Sequence, residues 1–357
     1  MTEGERRMSS SVERTDSSSS MLEERAKPRG LVHVFSPFRG NRGSINSLEQ
    51  IEQVAMLTSV RQAKENFITT KFEGRDSKED DNSIVIFDEI VIVCAVTDQD
   101  DTEWTNLLTN YCDEILTLPR NVRDQYPSSG LKPLPFVQDI INAGMSIGAQ
   151  KFGEDDYYLM FTNADICLTE NFFSTLHDKH LTKYKEAVII NRMTVSHLDA
   201  AVIPRVVDDG DLSLESIEGA SMEALQQAKQ EYANNRYKRH PGSDCFVAHS
   251  SIWQSIYLGD VFLGHPPVAA VMKLAFTQII GIVKYGFIAS NKDGTFHFGD
   301  DRLWKKKGAM NKFPSDFHYS AEEAIQLIQH CVVLHGHVIL TEKHWFLNGI
   351  NCGKLLY

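Results

Sequence analysis

Apolar positions in the first half of the chain fall into short runs that alternate with stretches of helical spacing. Residues 31–35 (L-V-H-V-F) form an apolar run closed by Pro37 and Gly40, as a first strand would be. Residues 44–67 then place Leu48, Ile51, Val54, Ala55, Val60 and Ala63 at helical intervals, with Ser44 or Ser47 available as an N-cap. A charged loop is expected at 73–82. The run I-V-I-V-C-A-V at 90–96 predicts a second strand, stopped by Thr97 and the acids that begin at Asp98. A helix over 104–111 and a third strand over 114–118 follow. A helix over 136–152, with Val137, Ile140, Ile141, Met145 and Ile147 on its apolar side, leads straight into the strand that starts at Tyr157. This alternation predicts an α/β fold with a mostly parallel central sheet flanked by helices.

The second half is less regular. Residues 187–191 (A-V-I-I-N) read as a strand, 208–218 as an acidic loop, 220–234 as a solvated helix and 245–248 as another short strand. Residues 268–289 carry Lys273, Gln278 and Lys284 inside an apolar stretch, so they suit a buried helix and strand better than a membrane span. A helix over 321–334 and an apolar strand or turn near 338–340 close the pattern. No internal repeat is present, and residues 29–357 are expected to form a single domain. Residues 1–28, polar and serine-rich, are expected to be a disordered tail without a secretory signal.

Composition changes the picture in two respects. The 357 residues carry a net charge of -12, which argues against a nucleic-acid-binding surface and against general attraction to anionic membranes. The six cysteines, Cys94, Cys112, Cys167, Cys245, Cys331 and Cys352, include no C-x-x-C pair and are expected to be reduced thiols in a cytoplasmic protein without a transmembrane segment.

Candidate chemistry centres on the end of the strand that begins at Tyr157. Its last residues give way to Asn163, Ala164 and Asp165, and side chains two apart on extended backbone face the same way. A carboxylate at the carboxyl edge of a sheet can hold one face of a Mg2+ or Mn2+ ion shared with a diphosphate. The plain alternative is a pair of Asx turns that end the strand. His297, in T-F-H-F-G-D-D-R-L-W, is placed like a ligand at a strand end, although a lone histidine there also suits a structural role. Asp244, in H-P-G-S-D-C-F-V-A-H, precedes an apolar run and can meet a sugar hydroxyl or act as a general base, with Gly242 letting backbone approach a ligand; a capped turn explains both equally well. Arg192 follows Asn191 at the end of a strand, where a guanidinium can pair with phosphate or with a surface acid. His335 and His337 lack an adjacent third ligand. The absence of G-x-x-x-x-G-K-[ST], G-x-G-x-x-G and G-x-S-x-G counts against P-loop, simple dinucleotide-binding and α/β-hydrolase folds.

Taken in order, N-A-G-M-S-I-G-A, Y-Y-L-M-F-T-N-A-D-I-C-L, I-I-N-R-M-T, G-S-D-C-F-V-A and T-F-H-F-G-D-D-R-L-W resemble the GT-A-fold glycosyltransferases, in a glycosyltransferase-like branch. The resemblance implies a Rossmann-like nucleotide-binding half at about 29–170, an acceptor-side half at about 171–307 and a C-terminal extension at 308–357. It implies that Asn163 to Asp165 stand in the place of the family's D-x-D motif. Asp165 is then the metal ligand, His297 the late histidine that also reaches the metal, and Asn163 a hydrogen-bonding partner of ribose or sugar. Ser36, Arg39 and Asp98 would lie beside the nucleotide. The segment 264–270 has no acid where inverting members carry their base, so Asp244 substitutes for it, or the enzyme is retaining, or catalysis is lost. The resemblance implies a metal-dependent glycosyltransferase moving a sugar from a nucleotide-diphosphate sugar to an acceptor. The alternatives are a catalytically silent nucleotide-sugar-binding or scaffold protein, and a sugar-phosphate nucleotidyltransferase.

Overall fold

Strands that are apolar on both faces suit a sheet covered on both sides, and the computed structural model sets three such strands side by side. It describes residues 30–37, 47–74, 86–97, 102–125, 127, 133–184, 186–196, 214–256, 258, 261–263, 268, 272–273, 275–276, 285–288, 294–298, 346–347 and 350–351. The first part of the chain forms β1 (Gly30–Phe35), α1 (Ser47–Gly74), β2 (Glu89–Val96), α2 (Thr102–Leu108), β3 (Glu114–Thr117), α3 (Val122–Gln125), α4 (Val137–Phe152) and β4 (Tyr157–Thr162). Next come β5 (Cys167–Leu168), α5 (Phe172–Thr175), a π-helical turn (Leu176–Leu181), α6 (Thr182–Tyr184) and β6 (Ala187–Val195). After these lie α7 (Leu214–Ala233), β7 (Lys238–His249), α8 (Ser250–Trp253), β8 (Tyr285–Ile288) and β9 (Thr295–Phe298).

Nine strands form one sheet in the order β3-β2-β1-β4-β7-β6-β9-β5, with β8 pairing β6 off this path. β1 runs parallel to β2 and β4, β2 to β3, and β6 to β8 and β9. β7 is antiparallel to both β4 and β6, and β5 is antiparallel to β9. A Rossmann-like parallel half thus continues into a mixed half, which makes the architecture GT-A-like.

One face of the sheet, with Leu31, Phe35, Ile92, Met160, Val188 and Val247, packs under α1 and α7. The other, with Val32, Val34, Leu159, Phe161, Ile189 and Phe246, packs under α4, Trp253 of α8, Met272 and Phe276. α4 lies unusually close to the strands because of two glycines. A Cβ on Gly144 would come within 2.7 Å of a Leu159 methyl, and one on Gly148 would overlap the Tyr157 ring.

Several expectations need correction. α1 runs to Gly74, beyond the predicted end at 67 and into the stretch read as a charged loop. α7 begins at Leu214, inside the predicted acidic loop, and is not simply solvated. Its residues Ile217, Ala220, Ala224, Leu225 and Ala228 are buried, and Ser221 Oγ donates to the α1 carbonyl of Ile51 at 3.0 Å. The acids on its outer face masked a narrow apolar stripe. β6 and β7 are longer than predicted because a bulge breaks their period-two pattern. Cys94 and Cys112 are joined as a disulfide between β2 and the turn after α2, contrary to the expectation of thiols throughout, while Cys167 and Cys245 are free and buried. Sequence separation gave no sign of that pairing. The expected tail at 1–28, the helix over 321–334, the segment 338–340, His335, His337, Cys331 and Cys352 lie outside the described residues. Among the described residues, no helix is long and apolar enough to cross a membrane.

Candidate functional site

The triplet that ends β4 is carried across the sheet. Only residues 163–166 separate β4 from β5, although β7, β6 and β9 lie between those two strands in the sheet. Four interstrand steps span about 19 Å in a flat sheet, whereas five fully extended residue steps reach about 18 Å. The connection is also tightened by a turn, in which Ile166 N donates to the Asn163 carbonyl at 3.3 Å. The mixed half of the sheet must therefore curl, and Asn163, Ala164 and Asp165 cross the inside of the curl.

Irregular pairing of β6 with β7 supplies the rest of the site. Ile190 pairs with Cys245 but Asn191 pairs with Ser243, leaving Asp244 as an extra residue on β7; Met193 then pairs with Arg239, so three β7 backbone positions, 240–242, stand against the single position 192. A bulge of this kind re-aims side chains. The outer edge of β6 is also divided at this point, with β8 pairing 187–190 and β9 pairing 192–195. On β9, Phe296 and Phe298 point into the α1 core, so Thr295 and His297 point the opposite way.

These side chains form a pair and a trio. His297 Nε2 and Asp165 Oδ2 are 3.1 Å apart. Asn163 Nδ2 donates to Asp244 Oδ1 at 3.1 Å, and Arg192 Nε lies 3.2 Å from Asp244 Oδ2 as an ion pair without hydrogen-bond alignment. The structure therefore brings together Asn163, Asp165, Arg192, Asp244 and His297. Asn163 spends its amide on Asp244 rather than presenting it to open space. Ser36 is buried at the end of β1, beside β4 at the same edge, and Gly242 lies in the irregular part of β7. Arg39 and Asp98 lie outside the described residues.

Electrostatics separates the two carboxylates. Burial of an oxygen works to raise the Asp165 carboxyl, but His297, Arg192 and the local backbone outweigh it and hold it at about 2. Its side chain keeps 41% of its surface exposed while Oδ1 is sealed and has no hydrogen-bond partner. The Asp244 carboxyl is raised, chiefly by burial; Asp165 adds to the rise, and Arg192 and His297 oppose it. One acid is thus fixed as an anion and the other is the stronger base, a division that suits distinct chemical roles.

The pair Asp165 and His297 fits a divalent ion. Adjacent ligands of an octahedral ion with bonds near 2.1 Å lie about 3 Å apart, close to the observed 3.1 Å between Nε2 and Oδ2. The sealed Oδ1 of Asp165 adds an unsatisfied acceptor. Among the described residues no three His, Cys, Asp or Glu side chains gather to hold a metal, and Asp165 and His297 are the pair there that would contact one.

Asn191 is singled out in the sequence with Arg192 at the strand end, but no role is assigned to it. It is 8% exposed, and its Oδ1 is sealed without a partner beside the bulge. Its place next to Arg192 was visible in the sequence, but only the break in strand register reveals that it adjoins Asp244.

No protein-family model matches the sequence, and no curated protein does. Solved structures do show similarity. One is S. aureus TarS residues 1–349 in complex with UDP-GlcNAc, at 10% identity and a TM-score of 0.42, over 85% of this chain and 66% of that one. The same TarS segment in complex with UDP is 9% identical with a TM-score of 0.38, over 85% of this chain and 65% of that one. A protein of Desulfovibrio desulfuricans G20 assigned as a nucleotide-diphospho-sugar transferase is 8% identical with a TM-score of 0.30, over 87% of this chain and 98% of that one. The chain spans just under two thirds of the length of the TarS segment it matches.

Proposed function

We propose that this chain is a glycosyltransferase that binds a nucleotide-diphosphate sugar and passes its sugar to an acceptor hydroxyl. The observation that carries the proposal is the convergence of Asp165, His297, Asn163, Asp244 and Arg192 on one network at the carboxyl edge of the sheet. Open α/β sheets bind their ligands at that edge. Asp165 and His297 would hold Mn2+ or Mg2+, which when bound supplies positive charge to the departing diphosphate. Arg192 adds a second positive charge beside the same cluster. Ser36, Arg39 and Asp98 are assigned to the nucleotide side and Gly242 to close backbone approach.

Asp244 is the proposed general base. As the acceptor oxygen bonds to the anomeric carbon, its proton passes to an oxygen of Asp244, and the nucleoside diphosphate leaves with the electrons of the broken bond. Asn163 donates to Oδ1 of that carboxylate, so the proton would go to Oδ2, which faces Arg192 at 3.2 Å without an aligned hydrogen bond. The raised carboxyl favours proton uptake.

The same contacts favour a second reading. Both Asp244 oxygens face protein groups, as they would in a nucleotide-sugar-binding protein that performs no transfer. A panel of UDP-, GDP-, ADP- and dTDP-sugars with Mn2+ or Mg2+ separates the two. Release of nucleoside diphosphate that falls at least about 100-fold in Asp244→Asn supports the transferase. Tight binding without release supports the silent protein, and absence of binding to every donor contradicts both.

A further inference from the structure

Asn191 occupies a position in β6 where the strand pairing is irregular on both sides. Toward β7 it adjoins the extra residue Asp244. Toward the outer edge it falls between the segments paired by β8 and β9, where Thr295 Oγ1 donates to its backbone carbonyl at 3.4 Å. The side-chain oxygen is sealed from solvent yet has no hydrogen-bond partner among the described residues. Leaving such a carbonyl unpaired is unfavourable, so the group is suited to a partner that arrives with a ligand.

The cluster that adjoins it in the strand pairing has a surplus of acceptors. Asp165 Oδ1 and Asp244 Oδ2 are also sealed without hydrogen bonds. A diphosphate brings only acceptors and cannot satisfy an amide oxygen, whereas a polyhydroxylated ring brings donors. We infer that Asn191 is a specificity-determining residue that accepts a hydrogen bond from a hydroxyl of the transferred sugar. The inference rests on the nucleotide-sugar reading above and adds to it which part of the donor lies over β6.

The test compares wild type with Asn191→Leu, which keeps the bulk and removes the acceptor, and with the milder Asn191→Ser. Calorimetry measures binding of UDP, GDP, UDP-glucose, GDP-mannose and singly deoxygenated forms of whichever sugar nucleotide binds best. The inference expects Asn191→Leu to weaken the sugar nucleotide about tenfold, the size of one hydrogen bond, with the sugar-free diphosphate changed less than twofold. It also expects one deoxygenated sugar to bind wild type about tenfold more weakly and to bind the leucine variant as well as its parent does. Equal weakening of sugar nucleotide and sugar-free diphosphate overturns the inference while leaving the nucleotide-sugar reading intact. If the leucine variant fails to fold, the serine variant and the wild-type deoxy series still decide: indifference of wild type to every single deoxygenation overturns it. If wild type binds no nucleotide sugar, both claims fall.

Discussion

Asn163 donates its side-chain amide to Asp244 Oδ1 at 3.1 Å across the junction of β4 and β7. The residue in the first place of the triplet therefore orients the proposed base, and only Asp165 of the triplet is left for the proposed metal. Replacing Asn163 by Asp would set a second carboxylate against Asp244 and raise that carboxyl further. Since a base works when deprotonated, the acidic limb of the rate profile should move to higher pH in Asn163→Asp. An unmoved limb, measured as kcat/KM against pH, would remove Asp244 from the role of base.

His33 gives a pH dependence of a different kind. It is fully buried in β1, with Nε2 2.8 Å from Thr162 Oγ1, and burial lowers it from 6.5 to about 3. The folded protein keeps it neutral while the unfolded chain takes up a proton below 6.5. Its contribution to stability is therefore present above that pH and lost as pH falls toward 3, with a slope of up to about 1.4 kcal/mol per pH unit. Denaturant titrations of His33→Gln should show a shallower loss between pH 6.5 and 4.5 than wild type; parallel curves would contradict the assignment.

Close seating of α4 makes Gly148 sensitive. A methyl there overlaps the Tyr157 ring, whose hydroxyl donates to the Met145 carbonyl at 3.0 Å. Gly148→Ala should cost about 1–3 kcal/mol despite the better helix propensity of alanine. Gly219, where an added Cβ meets nothing within 4 Å, serves as the control, and Gly219→Ala should be neutral or stabilising in urea unfolding.

The parallel half was legible because its signals are local. The runs containing Val32, Val93 and Leu159 are apolar on both faces, and the helix of Ile140 and Ile147 has a clear stripe, so the strand–helix order followed directly. The triplet and His297 could be singled out as polar groups at the ends of apolar runs. The mixed half was harder, because its content depends on register. Asp244 meets Arg192 only through an extra residue in β7, and Asn191 falls at the break where β8 and β9 divide the edge of β6. Pairings between distant segments, including Cys94 with Cys112 and Asn163 with Asp244, leave no trace in spacing. The stripe of α7 was obscured by outward-facing acids such as Glu223 and Glu215.

The central claim, a nucleotide-sugar site built on Asp165 and His297, is tested most directly by calorimetric binding of the donor panel with Mn2+ and with EDTA, to wild type and Asp165→Ala. The account predicts that wild type binds one nucleotide sugar at least about tenfold more tightly with Mn2+, from added charge neutralisation of the diphosphate, and that Asp165→Ala abolishes this difference. Binding indifferent to Mn2+ in wild type, or a metal effect that survives in Asp165→Ala, would contradict it.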